Sequence, residues 1–232
     1  HWVPEVARAA ISESGGAVDM YELLRESLRQ RPDYIVVGEV RGKEANVLFQ
    51  QMAVGHPGLS TIHAETMAKL VDRLTTRPIS LPPGLLQNLD VVIFLKRIKR
   101  GNRYVRRISS VFEVVGFDQA KNYPRVNFLF RWNSRGDTFE SVEKSLLLRK
   151  VAELTGMSDE DIEDSIKKRA LVLEWMLSKN IRDYRKVGKV LSFFYTSQDT
   201  LLQRIGVASA SIVGLGAVDA APHDRVGARH AG

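Results

Sequence analysis

The chain has 232 residues, 44% hydrophobic and 26% charged, a composition that allows one sizeable core or a core plus a small helical appendage. Its formal charge of +7 favours anionic partners such as nucleotide, nucleic acid or an acidic membrane surface. It has no cysteine, which excludes disulfides and thiolate metal sites, and no apolar run long enough for a membrane-spanning helix. Because the sequence begins with His1 and shows no charged-then-apolar leader, we expect a fragment of a longer protein without a secretion signal.

The first part of the chain alternates between helical and strand-like patterns. Three segments carry apolar residues at helical spacing. They are residues 19–30, 43–54 and 66–75. Three short apolar runs are typical of buried strands. They are residues 34–38, 59–62 and 89–95. This alternation predicts an α/β fold in which helices cover both faces of a parallel sheet.

A different organisation is predicted after residue 96. Residues 103–116 and 125–132 alternate partially and predict an antiparallel extension of the sheet. Three helices are predicted next, over residues 141–154, from Ser158 to about residue 180, and from Asp183, with Ser158 and Asp161 forming a capping box. The predicted domains are therefore 1–138, a small all-α subdomain over 139–205, and a disordered Ala- and Gly-rich tail over 206–232.

Polar residues end two of the predicted strands. Glu39 follows the run Ile35 to Gly38, and His63 follows Leu59 to Ile62, so both belong at the edge where α/β sheets bind ligands. Glu39 is suited to orient an attacking water in phosphoryl transfer, and His63 to donate a hydrogen bond to a phosphate. The alternative interpretations are a surface carboxylate paired with Arg41 and a structural histidine. Thr61 is expected to contribute a hydroxyl.

The segment from Lys96 to Arg107 contains seven Lys or Arg residues and no acidic residue. The first interpretation is a solvated hairpin, and the second is contact with an acidic neighbour or an anionic membrane surface. As a nucleic-acid site it has one aromatic residue, Tyr104, and lacks the stacking residues of a single-strand binder, so we expect no stable nucleic-acid binding.

The chain also contains no phosphate-loop motif of the form Gly-x-x-x-x-Gly-Lys-Ser/Thr.

Two long motifs resemble those of a known family. The segment from Leu28 to Arg41 resembles the Walker B signature of type II/type IV secretion ATPases, with Leu-Arg, Pro-Asp and Gly-Glu in the family's order. Residues 60–65, Ser-Thr-Ile-His-Ala-Glu, with Asp72-Arg73 following, resemble its His box. The resemblance covers residues 1 to about 205, and the segments 1–4, 81–84 and 169–176 are most similar to the archaeal branch of archaellum and pilus-assembly motors.

The resemblance implies a partial RecA-like P-loop NTPase core that uses ATP and Mg²⁺. Glu39 is implied as the catalytic glutamate and as a contact to the metal, and Gly38 stands where other P-loop enzymes carry a metal-binding Asp. His63 is implied to sense the γ-phosphate, with Arg41 and Arg73 linking the moving parts of the site. Gly42 departs from the Asp of bacterial members.

The resemblance also implies a homohexamer in the cytoplasm, peripheral to the cytoplasmic membrane and docked on a polytopic platform protein. In the family the phosphate loop lies upstream of the residues matched here, so we expect these 232 residues alone not to hydrolyse ATP. Two alternatives stay open. One is a non-catalytic interaction fragment that binds a membrane platform, and the other is a DNA-transfer ATPase or basic nucleic-acid-binding module.

Overall fold

The computed structural model describes residues 2–7 and 18–206. Within them the chain divides into two compact units. The first contains residues 2–7 and 18–132 with Ser141–Ser145, and the second contains Asn133–Glu140 with residues 146–206. The predicted disordered tail over residues 206–232 lies outside the described residues, apart from Gly206.

The first unit begins with helices that alternate with two short strands. The helices are α1 (Met20–Ser27), α2 (Glu44–Ala53) and α3 (Met67–Thr75), and the strands are β1 (Ile35–Val37) and β2 (Gly58–Ser60). β1 and β2 are parallel, with Val36 opposite Leu59. Each of these helices and strands confirms an element expected from the sequence, with ends displaced by a few residues.

Side-chain caps determine where α1 and α3 begin. The Asp19 carboxylate accepts a hydrogen bond from the Glu22 amide at 2.8 Å, and the Thr66 hydroxyl accepts one from the Lys69 amide at 3.3 Å. Such caps satisfy amides that have no partner within the helix. The apolar stripes then bury Leu24 of α1 and Leu70 and Leu74 of α3 in the core of this unit.

The remaining strands form a separate four-stranded antiparallel sheet. They are β3 (Val91–Arg100), β4 (Arg103–Asp118), β5 (Tyr123–Asn133) and β6 (Thr138–Ser141), in that spatial order. The prediction that residues 89–95 join the parallel sheet is therefore wrong, as is the prediction that the later strands extend that sheet. Only Gly101 and Asn102 separate β3 from β4, and so short a connection joins antiparallel strands.

The parallel sheet is also less covered than expected. Val36 and Leu59 lie opposite each other on one face and are 52% and 60% exposed, whereas Ile35 and Val37 point to the other face and are buried. Helices over both faces were predicted, but among residues 2–7 and 18–206 only one face of this strand pair is buried.

Helices make up most of the second unit. They are α4 (Leu146–Thr155), α5 (Asp159–Ser178), α6 (Tyr184–Thr196) and α7 (Gln198–Arg204). The capping box of Ser158 and Asp161 and the Asp183 cap are both confirmed. The first helix starts at Leu146 rather than at residue 141, where β6 ends, and α7 was not predicted. No helix in the described part of the chain is long and apolar enough to cross a membrane.

A buried polar cluster ties the antiparallel sheet to the chain that follows it. Glu113 of β4 is 2% exposed and Asn127 of β5 is 4% exposed. The Asn127 amide donates to Glu113 at 2.9 Å and to the carbonyl of Lys144 at 2.8 Å, and the Ser145 hydroxyl donates to Glu113. Buried carboxylates are costly unless they accept hydrogen bonds, so these donors stabilise Glu113 in the fold.

We expect Asn127→Ala to lower the free energy of unfolding by about 1–3 kcal/mol, because it removes a donor from a buried carboxylate. Urea denaturation measures this change. The control is Gln119→Ala, since Gln119 is exposed in the turn after β4. Equal stability of the two variants would contradict the prediction.

Candidate functional site

The loops that follow β1 and β2 are joined by two hydrogen bonds. The Thr61 hydroxyl donates to the Gly38 carbonyl at 2.5 Å, and the Val40 amide donates to the Thr61 carbonyl at 3.0 Å. These bonds continue the strand pairing past the last ladder pair, Val37 and Ser60. Glu39 and His63 are therefore held side by side at the carboxyl ends of the two strands, as the sequence predicted.

Glu39 lies beneath two exposed basic side chains. Its Oε2 accepts a hydrogen bond from Nη2 of Arg41 at 2.6 Å. Its Oε1 lies 3.3 Å from Nε2 of His63, but this oxygen is inaccessible to solvent and no hydrogen bond of acceptable geometry reaches it. We interpret the His63 contact as a close approach rather than a formed hydrogen bond. The Glu39 side chain is 23% exposed, against 71% for Arg41 and 78% for His63.

The charges around Glu39 favour its ionised form. The hydrogen bond from Arg41 lowers the pKa of Glu39, and the charges of Arg41, His63 and Arg73 lower it further, while desolvation acts in the opposite direction. The same hydrogen bond raises the pKa of Arg41. At neutral pH Glu39 is therefore a carboxylate, the form that can accept a proton.

Arg73 contributes charge rather than direct contact. It lies in the last turn of α3, and its charge is one of those that lower the pKa of Glu39. No hydrogen bond or ion pair between Arg73 and Glu39 is found in the described part of the chain. The structure thus joins Glu39 to Arg41 and His63, and Thr61 to Gly38, whereas Arg73 acts on Glu39 through its charge.

Glu44 is a member of the site that the sequence analysis missed. Its Oε1 accepts hydrogen bonds from the amides of Arg41 at 2.5 Å and Gly42 at 2.8 Å, and the residue is 9% exposed. A Cβ at position 42 would lie 3.3 Å from Oε2 of Glu44, so glycine leaves room for this carboxylate. The available signal was an acidic residue in the first turn of α2, which complements the helix dipole.

The site is open rather than enclosed. A cavity of about 850 Å³ lies elsewhere in the first unit, lined by residues 2–5, α1 and residues 30–37. Neither Glu39 nor His63 lines this cavity. An extended, phosphate-bearing ligand could reach the exposed side chains at these strand ends.

The residues present fit Mg²⁺ only as a companion of a phosphate ligand. Within residues 2–7 and 18–206, no cluster of three or more His, Asp or Glu side chains could hold a metal ion. Magnesium commonly binds through one or two carboxylates together with substrate phosphates and water. Glu39 is the carboxylate at the strand ends that fits that pattern.

Several known proteins are similar to this chain. Uncharacterized protein MJ1287 of Methanocaldococcus jannaschii is 38% identical over 170 residues, which cover 73% of this chain and 63% of that protein. Conjugal transfer protein TrbB of Rhizobium radiobacter is 33% identical over 118 residues, 48% of this chain and 35% of that protein. Type IV secretion system protein PtlH of Bordetella pertussis is 33% identical over 108 residues, which cover 41% of this chain and 32% of that protein. The chain spans less than two thirds of the length of each relative.

The family comparison covers the part of the chain that contains the site. Residues 4–126 match the family described as Type II/IV secretion system protein. The match includes β1, β2 and the residues of the candidate site, which are Gly38, Glu39, Arg41, Glu44, Thr61, His63 and Arg73. It extends over more than half of the sequence, and the chain therefore belongs to the type II/IV secretion system protein family.

Proposed function

We propose that this chain is the C-terminal part of a motor ATPase of the secretion class, in which Glu39 is the general base. The observation that carries the proposal is the ionised Glu39 between Arg41 and His63, at the ends of two parallel strands. Its membership of the type II/IV secretion family supports the same activity. Similarity to the M. jannaschii proteins MJ1287 and MJ0900, at 38% and 36% identity, supports the archaeal branch.

In this proposal Glu39 orients the attacking water and takes its proton. Phosphoryl transfer depends mainly on positioning and charge stabilisation, and a base must lie within hydrogen-bond reach of the water. Oε2 of Glu39 is held by Arg41, so Oε1, which accepts no hydrogen bond, is the oxygen proposed to take the proton once the His63 side chain, 3.3 Å away, moves to admit the water. His63 is 78% exposed beside it and donates to the terminal phosphate of ATP.

Arg41 and Arg73 are proposed to lower the pKa of Glu39 and not to take part in the proton transfer themselves. The Arg41 hydrogen bond orients the Glu39 carboxylate and keeps it ionised. Thr61 and Gly38 hold the two loops in register through their 2.5 Å hydrogen bond. When bound, Mg²⁺ and the nucleotide supply charge neutralisation at the transferred phosphoryl group, and Glu39 is the side chain proposed to contact that metal.

The larger assembly is also part of the proposal. We infer a homohexamer that docks on a polytopic platform protein at the cytoplasmic face of the membrane. A RecA-like portion over residues 1–138 and a helical subdomain over 139–205 are the proposed domains. The names of TrbB and PtlH, a conjugal transfer and a type IV secretion protein, favour export across a membrane over a purely structural role.

The first test is Glu39→Gln, which keeps the shape of the side chain and removes its basicity. In the whole gene product we expect ATP hydrolysis to fall roughly 100-fold to 10 000-fold, the usual contribution of a general base. Phosphate release measures the rate, and nucleotide binding should persist. Glu26→Gln on the exposed face of α1 is the matched control. An unchanged rate in Glu39→Gln would exclude the proposed base.

The 232-residue chain itself should show only background phosphate release, because it contains no phosphate-loop motif. The same assay with and without Glu39→Gln tests this expectation. Turnover by the unaltered chain, lost in the variant, would contradict the inactivity while supporting the role of Glu39.

Arg41→Gln should raise the pKa of Glu39, because it removes the largest influence that lowers it from 4.5. Carbon-13 NMR titration of the glutamate carboxyl groups measures the shift. A carboxyl group whose pKa is lower in the folded state than in the unfolded state stabilises the fold at pH values above its unfolded-state pKa. This stabilisation is lost as the pH falls through the folded-state pKa. The variant should therefore lose less stability than the wild type on acidification.

Lys43→Gln is the control for this titration, since it makes the same charge change two residues away at an exposed side chain. It should leave the pKa of Glu39 nearly unchanged. Equal shifts in the two variants would mean that net charge, rather than the Arg41 hydrogen bond, determines the ionisation of Glu39.

A further inference from the structure

The basic segment forms a two-stranded arm. β3 and β4 pair from Val91 with Glu113 to Arg100 with Arg103, whereas β5 pairs with β4 only from Ser110 onward. Residues 96–107, which we call the basic arm, therefore extend past the third strand of the sheet in the described part of the chain. Such a ribbon has little core of its own, since only Ile98 and Val105 within it are apolar and partly buried.

Like charges face each other across this arm. The register places Lys96 opposite Arg107, Arg97 opposite Arg106, and Arg100 opposite Arg103. Directly opposed like charges destabilise a strand pair, and here three of the arm's five cross-strand pairs are of this kind. A solvated hairpin gains nothing from this arrangement. An anionic partner would reduce the repulsion between Arg97 and Arg106, so this pair indicates a binding surface.

One face of the arm combines cations with apolar side chains. Side chains that face each other across an antiparallel pair share a face, which places Arg97, Lys99 and Arg106 on the same side as Tyr104. Leu95 and Ile108 continue this face at the base of the arm, and they are 71% and 39% exposed. Exposed aliphatic chains beside cations suit the interfacial region of a lipid bilayer.

The aromatic residue of the arm argues against base stacking. The Arg97 guanidinium lies over the Tyr104 ring at 4.1 Å from its centroid, so one face of the ring is already covered. Tyr104 remains 61% exposed, and its amphipathic ring is of the type enriched at membrane–water interfaces. A nucleic acid would contact the cations but would gain nothing from Leu95 and Ile108.

From these observations we propose that the Arg97, Lys99 and Arg106 face of the basic arm binds the anionic headgroups of a membrane. Clusters of this size attract acidic lipids at about 1 kcal/mol for each cation near the surface. The exposed aliphatic chains at the base of the arm add apolar contact with the interface. The proposal is independent of the ATPase chemistry, because it requires neither nucleotide nor the Glu39 site.

The test is flotation of the 232-residue chain with vesicles of phosphatidylglycerol and phosphatidylcholine, compared with phosphatidylcholine alone. Binding should require the anionic lipid and weaken with salt. The variant Arg97→Gln, Lys99→Gln and Arg106→Gln should reduce partitioning on the order of a hundredfold, as expected for three surface cations. The control Arg182→Gln, Lys186→Gln and Lys189→Gln makes the same charge change on exposed residues near and within α6 and should bind almost as the wild type.

A second variant separates lipid from other polyanions. Leu95→Ser with Ile108→Ser keeps every cation and should weaken vesicle binding while leaving binding to a short duplex DNA unchanged. Thermal unfolding should show that the triple Gln variant is at least as stable as the wild type, because opposed cations have been removed, and this excludes misfolding as the cause.

Three results would overturn the proposal. They are no preference for anionic vesicles, equal loss of binding in the arm variant and the α6 control, or arm-dependent binding to duplex DNA that is tighter than binding to vesicles. The last result would identify the arm as a nucleic-acid site. None of them would affect the ATP hydrolysis experiments, which use other residues and another readout.

Discussion

The hydrogen bond from the Thr61 hydroxyl to the Gly38 carbonyl is the contact on which the candidate site depends. β1 and β2 are three residues each, and so short a ladder does little to fix the loops beyond it. Thr61 extends the pairing with a 2.5 Å bond from its side chain and a 3.0 Å bond to its carbonyl. Glu44 restrains the same loop from the helix side, through the amides of Arg41 and Gly42. Glu39 is thereby positioned from two sides, by the loop that follows β2 and by the first turn of α2.

Local features of the fold could be predicted from the sequence, whereas the assignment of strands to sheets could not. The caps at Ser158 and Asp183 depend on residues a few positions apart, so sequence spacing predicts them. Residues 89–95 have the apolar character of a buried parallel strand, but the two-residue connection to β4 places them in an antiparallel pair. The length of that connection was a stronger signal than hydrophobicity.

The same distinction applies to the candidate site. Glu39 and His63 were predicted because strand ends at one edge of a sheet meet. Glu44 was missed because an acidic residue at a helix N-terminus is ordinary, and only the backbone geometry shows that it accepts two amides of the Arg41 loop. The RecA-like core, the hexamer and the platform partner still depend on the resemblance and remain predictions.

The position of the exposed Arg41 cation over a sheltered carboxylate has a kinetic consequence. Arg41 and His63 are 71% and 78% exposed, whereas Glu39 beneath them is 23% exposed. An approaching polyphosphate would meet positive charge first, and attraction between exposed charges is screened by dissolved ions. The sheltered base is less affected by such screening. Ionic strength should therefore slow the encounter with the ligand much more than it slows the proton transfer that follows.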